Sequence, residues 1–233
     1  MRNPFRDLQL KEWILYSISL IVVVGTNFFA AKIDVLNMVA TIFGVTALIF
    51  IAKGNVFGQV LAVIFGALYA VSALDNRYYS ETITYLGMSV PVAIASIVSW
   101  VKNPYKKGVN VVKIRKFTTK EGLFTLLFSA IVTTVFFFVL KALGTNNLIV
   151  STISIATSFS ASYLMFRRIS YYAVAYALND IVLIVLWILA SIKNLSDLTM
   201  VACFAMFLIN DLYAFISWKI REVEQSKHRI KND

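Results

Sequence analysis

The sequence predicts an all-α integral membrane protein of eight transmembrane helices: one N-terminal helix, then two parallel three-helix repeats joined by a linker helix. Three observations carry that expectation. Hydrophobic residues make up 59% of the 233 and charged residues 15%, with a mean hydropathy of +0.77, whereas a soluble domain is about half apolar and a quarter charged. The apolar residues fall into eight runs, each near the ~20 residues that a helix needs to cross a bilayer. When those runs alternate across a membrane, the basic residues segregate to one side.

The runs span roughly 13–31, 36–52, 55–74, 80–101, 122–143, 147–166, 171–192 and 197–218. Short polar connections such as Lys53-Gly54-Asn55 and Asp75-Asn76-Arg77 divide them. The first run follows a basic start, as a signal peptide would. Asn27-Phe28-Phe29 is a poor cleavage site, so an uncleaved span is expected. With the N-terminus in the cytoplasm, 18 of the 22 Lys and Arg lie inside. They are Arg2, Arg6 and Lys11, then Lys53, seven between Lys102 and Lys120, Arg167 with Arg168, and five from Lys219 onward. Lys32, Arg77, Lys141 and Lys193 are left outside, and no Lys or Arg falls deep in a span. This positive-inside pattern predicts a multi-pass cell-membrane protein with both termini cytoplasmic. The net charge of +10 reads as cytoplasmic loops facing anionic lipid, with no nucleic-acid partner. The stretch Lys102–Lys120, with Pro104, is expected to be a surface linker. The basic tail 219–233 is expected to fray.

An offset of 118 residues pairs Leu68 with Leu186, Asn76 with Asn194, Ser99 with Ser217 and Trp100 with Trp218. This makes one transmembrane domain of repeat one (about 36–101), a linker helix (about 122–143) and repeat two (about 147–218). The copies are an even number of spans apart and share one orientation. The 3+1+3 layout resembles that of SWEET transporters.

The chemistry available is narrow. Cys203 is the only cysteine, and His228, in the polar tail, the only histidine. An intrachain disulfide, the usual Cys/His zinc sites and Ser-His-Asp catalysis are excluded. No enzyme, metal or cofactor is expected. The polar residues that stand out are two Asn-Asp pairs inside apolar spans, Asn179-Asp180 and Asn210-Asp211. Polar groups at bilayer depth are costly unless they face protein, water or a ligand.

Tyr172, Tyr176, Asn179 and Leu183 share one helix face, with Trp187 further along it and Asp180 one step round. Tyr172 reads equally as an interfacial belt residue, and Asn179 also fits a helix–helix hydrogen bond. In the last span Asn210, Tyr213 and Ser217 share a face; Asp211, Phe215 and Trp218 share the next, with Trp218 at the belt position. Gln59, Gly66 and Tyr69 mark one side of span three. Glu81 and Tyr85 stand one turn apart near the outer end of span four, where Glu81 either draws cations into an outer mouth or caps the helix, the cap being the preferred reading. Asp180 and Asp211 lack a span-interior cation, so they either face a cationic solute or bond a neighbouring helix as neutral carboxyls. The candidate solute-binding set is Asn179, Asn210, Tyr213, Tyr172, Tyr176, Gln59, Asp180 and Trp187.

Asn210-Asp211-Leu212-Tyr213-Ala214-Phe215-Ile216-Ser217-Trp218 resembles the closing motif of the PnuC vitamin transporters, roughly Asn-x-x-Tyr-Gly-x-x-x-Trp. Arg167-Arg168 followed by Tyr171 to Asp180 is similar to the preceding family helix. The resemblance covers about residues 36–222. It implies facilitated uptake of a vitamin by alternating access, most often nicotinamide riboside, by a homotrimer, with Asn179, Asn210, Tyr213 and Trp218 as family residues. There are departures. The family's Trp-x-x-Trp becomes Tyr172 and Ala175. The Asn and Tyr expected before Trp100 are Val92 and Ala95. Thiamine, riboflavin or, in a SWEET-like carrier, a sugar therefore stand as alternative solutes.

Overall fold

In lipid, every backbone N–H and C=O must find its partner within the chain, so apolar runs become helices. The computed structural model describes residues 4–28, 35–75, 79–106, 109–145, 147–192 and 198–230. Lys32, Arg77 and Lys193, three of the four basic residues expected outside, lie beyond these, as do Arg2, Lys107 and Lys231 and the repeat pair Asn76 and Asn194; the Glu81 side chain is likewise not described. Among the described residues there is no strand, only three isolated bridges.

The helices are α1 (Leu10–Asn27), α2 (Val35–Ala52), α3 (Val56–Asp75), α4 (Tyr79–Thr84), α5 (Val90–Val101), α6 (Thr119–Ala142), α7 (Leu148–Phe166), α8 (Tyr172–Ser191) and α9 (Leu198–Ile230). A π-turn, Tyr85–Ser89, joins α4 to α5 without a break, giving eight long helical segments among the described residues. Among the described residues, five stretches are long and apolar enough to cross a membrane: Thr82–Val101, Thr119–Ala142, Leu148–Phe166, Tyr172–Ser191 and Met200–Lys227. Met38–Ala52 and Val56–Ser72 are shorter apolar helices.

Two details depart from the sequence expectation. Span four is not a uniform α-helix. Pro91 has no N–H and its ring would crowd the carbonyl of Gly87. The preceding turn widens, and the Val90 N–H bonds the Tyr85 carbonyl five residues back. The tail does not fray at Trp218, because α9 continues to Ile230. Gln225 holds it, accepting from the Ile114 N–H at 2.9 Å and donating to the Val112 carbonyl at 3.1 Å. Ser170 adds a bond to Glu222 at 2.8 Å.

The packing is a closed ring: α2 on α3, α3 on α5, α5 on α7, α7 on α8, α8 on α9, and α9 back on α2. Outside the ring, α1 packs on α2 and α9, and α6 packs on α7. One end of the ring gathers the basic residues and is closed by contacts that occur in like pairs. Ser99 and Trp100 of α5 donate to the last two carbonyls of α7, Phe166 at 2.9 Å and Met165 at 3.1 Å. Ser217 and Trp218 of α9 donate to the last two carbonyls of α2, Ala52 at 2.8 Å and Ile51 at 2.8 Å. The two indoles meet with centroids 5.5 Å apart, both fully buried.

The turns after α2 and α7 also match. Each has a left-handed residue, Gly54 at φ 67 and Arg168 at φ 62. Glycine adopts this without cost; arginine does so under strain. Each of these residues also accepts a backbone bond from the 102–118 segment, from the Val112 N–H to Gly54 and from the Arg115 N–H to Arg168, both at 2.9 Å. Glutamates in the first turns of α1 and α6 complete the pairing. Glu12, in a reciprocal cap with Gln9, binds Lys53 at 2.6 Å. Glu121, capped by the Thr118 hydroxyl, binds Arg167 and, at 3.0 Å, Arg115. Arg168 sits among these cations. Burial, then the charges of Arg115 and Arg167, hold its pKa below the ordinary guanidinium value.

Candidate solute-binding site

A cavity of about 160 Å³ opens inside the ring above this closed end. Two of its walls differ in kind. On α2 and α3 it is lined by Gly44, Ala47, Leu48, Ala62, Phe65 and Gly66. Small residues here bring the helices close: a Cβ on Gly66 would lie 2.8 Å from Val90. On α8 and α9 it is lined by Tyr172, Tyr176, Asn179, Asp180 and Asp211, with Phe204 and Phe207 beside them. The π-turn contributes Tyr85 and Ser89. Its wider helical turn thus falls at the cavity, where such irregularities often serve a site.

A second cavity of about 70 Å³ continues away from the basic end and includes Trp187, Thr145 and Ser154. Tyr85, Ser89, Ser158, Asn179, Leu183 and Phe204 line both. The helical stripe Tyr172, Tyr176, Asn179, Leu183 and Trp187 therefore runs along the two cavities in order. Tyr172 sits at the closed end, 1% exposed, its ring 4.8 Å from that of Trp218. Neither is an interfacial belt residue in this fold, because both are packed inside the ring.

The polar groups fall into two classes. Some are bonded to protein. The Tyr176 hydroxyl meets Ser162 Oγ at 2.8 Å, and Asn179 Oδ1 accepts from Ser154 at 3.1 Å and Thr157 at 2.9 Å. Others are buried without a partner: the Tyr172 hydroxyl and Asp180 Oδ2. The Asp180 and Asp211 carboxyls interact with each other across the α8–α9 contact. A buried polar atom without a partner costs free energy that a bound molecule would recover.

Three of the candidates predicted from sequence line neither cavity. Asn210 Nδ2 donates to Ser19 Oγ of α1 and to the Met206 carbonyl, each at 2.8 Å, while its Oδ1 is buried and unpaired. The Tyr213 hydroxyl donates to Glu12 Oε1 at 2.9 Å. This face of α9 meets α1, and both side chains bond residues of that helix. Gln59 is fully buried in α3, its amide atoms unpaired. Conversely, sequence reading missed Phe65, Ser89, Ser158, Phe204 and Phe207 as lining residues. Only Pro91 and the glycines Gly44 and Gly66 hinted at them, as signs of an irregular turn and a close helix approach. No group of three or more His, Cys, Asp or Glu able to hold a metal occurs among the described residues.

The chain matches the family described as "Nicotinamide mononucleotide transporter" over residues 34–220. It is 26% identical over 187 residues to the "Nicotinamide riboside transporter PnuC" of Neisseria mucosa, covering 78% of this chain and 71% of that one. Its fold is similar to that of the "Crystal structure of the Vitamin B3 transporter PnuC", with a TM-score of 0.79, 23% identity and 94% of each chain covered.

Proposed function

This chain belongs to the nicotinamide mononucleotide transporter (PnuC) family, a family of membrane transporters and not of enzymes, and from that premise we propose that it takes up nicotinamide riboside by facilitated diffusion. The observation that carries the choice of solute is the charge of the cavity. Its described lining residues include two carboxyls and no Lys or Arg. Phosphate recognition ordinarily uses a basic side chain, so a riboside suits the site and its mononucleotide does not. The pyridinium would lie against Tyr172 and Tyr176 as a cation–π contact. Asn179, its oxygen held by Ser154 and Thr157, would present its amide N–H groups to the ribose or carboxamide. Trp187 would flank the route in from the other end.

The same reading has eight crossings of the cell membrane, with both termini and the Lys102–Lys120 segment in the cytoplasm, because the closed end of the ring carries the basic residues. The matched Ser-Trp and Glu–cation contacts support a 3+1+3 parallel repeat, each copy preceded by its own packing helix. Two such halves rocking about the cavity would give alternating access. A homotrimer, implied by the family resemblance, completes the proposal. A thermal-shift screen of the purified protein tests the solute. Nicotinamide riboside should raise the melting temperature and its mononucleotide should not. Stabilisation by the mononucleotide to the same degree, or only by riboflavin or a sugar, would overturn it.

A further inference from the structure

We infer that the Asp180–Asp211 carboxyl pair is the specificity determinant that makes this cavity select heteroaromatic cations over neutral molecules of the same shape. The inference deepens the proposed function and rests on the cavity being the solute site. Asp180 is 4% exposed and Asp211 4% exposed, on adjacent helices, and both face the cavity. No described lining residue carries a positive charge, and Glu12, Glu121 and Glu222 hold their ion pairs at the basic end. Two carboxyls that bond each other share one proton and so carry one negative charge; held away from water with no described protein cation beside it, that charge costs free energy that a cationic ligand would offset.

A second observation points the same way. Asp180 Oδ2 and the Tyr172 hydroxyl are both buried and unpaired, and they belong to residues that line the cavity. The ring faces of Tyr172 and Tyr176, with centroids 6.2 Å apart and at 81°, add the aromatic surface that a delocalised cation favours. The site thus offers negative charge and π-faces together. That chemistry fits a pyridinium or a thiazolium. It disfavours an uncharged flavin or sugar, which would leave the carboxyls without a counter-charge.

The test is calorimetric binding of nicotinamide riboside and of its reduced dihydropyridine form, which keeps the shape and loses the charge. Wild-type protein should prefer the cation by about tenfold or more, the scale of one charge-assisted contact. Asp180→Asn and Asp211→Asn keep the side-chain volume. Each should weaken the cation by about tenfold to a hundredfold and the neutral form by less than about threefold. Equal wild-type affinity for the two forms, or an unchanged preference in both variants and their double, would overturn the inference while leaving riboside transport standing. The wild-type comparison decides even where a variant fails to fold. Should neither riboside bind, the riboside reading falls and thiamine against riboflavin decides the charge rule. Thiamine binding alone upholds it; riboflavin binding, or none by any of the four, overturns it.

Discussion

The closed end of the helix ring and its middle are built on opposite principles. At the closed end the two halves of the chain use the same parts twice: a Ser-Trp pair on the last two carbonyls of a neighbouring helix, a left-handed turn residue and a first-turn glutamate on a cation. In the middle they diverge. Helices α2 and α3 line the cavity with glycine, alanine, leucine and phenylalanine, whereas α8 and α9 add tyrosine, asparagine and aspartate to their own leucine and phenylalanine. Duplicated contacts suit a scaffold, in which each half must close on the other. Unlike walls suit recognition of a solute that is itself lopsided, with an aromatic cation at one end and polar groups at the other.

The sharpest way to break that contrast is at the paired indoles. Trp100→Ala and Trp218→Ala should each cost about 3–5 kcal/mol, the usual range for a buried Trp to Ala change, and the two losses should be similar. Thermal or denaturant unfolding in detergent checks it. A large loss at one site and none at the other would show that the matched bonds are not equivalent in weight.

The glutamates sharpen the comparison. Glu12 and Lys53 are nearly buried, with side-chain exposures of 2% and 10%, whereas the arginines on Glu121 are 41% and 32% exposed. Removing one partner of a buried pair leaves an uncompensated charge, while exposed pairs are worth little. Glu12→Gln should therefore destabilise by about 3 kcal/mol and Glu121→Gln by about 1 kcal/mol, read from the same unfolding curves.

In the middle the halves should behave unequally. Tyr176→Ala removes an aromatic face and should weaken riboside binding by about tenfold. Phe65→Leu, on the apolar wall, should change it less than about threefold. Smallest in affinity is Asn210→Ala. Its amide bonds α1 and not the cavity, so it should lower apo stability by about 1–2 kcal/mol and leave riboside affinity within about twofold.

Much of the scaffold was legible in the sequence because lipid leaves a chain few choices. Apolar runs of fixed length must be helices, and Lys and Arg must collect at one end. The stripe from Tyr172 to Trp187 was legible for the same reason, since helical spacing alone puts it on one face. Which way a face points was not. Asn210 and Tyr213 share a face as expected, yet that face meets α1, and only the packing of a helix about two hundred residues earlier in the chain decides it. The Glu12–Lys53 pair joins residues whose spacing carries no local signal. The π-turn at Tyr85–Ser89 needed the clash at Pro91 to be worked out in three dimensions. The tail beyond Trp218 looked free because its partners, Val112 and Ile114, lie in a segment with no periodicity.

The most direct test of the central proposal is uptake of labelled nicotinamide riboside by purified protein in liposomes. Carriage by an unphosphorylated-solute site predicts saturable uptake that equilibrates across the bilayer, with nicotinamide mononucleotide remaining at the level of empty liposomes. Equal uptake of the mononucleotide, or no uptake of the riboside above empty liposomes, would contradict it.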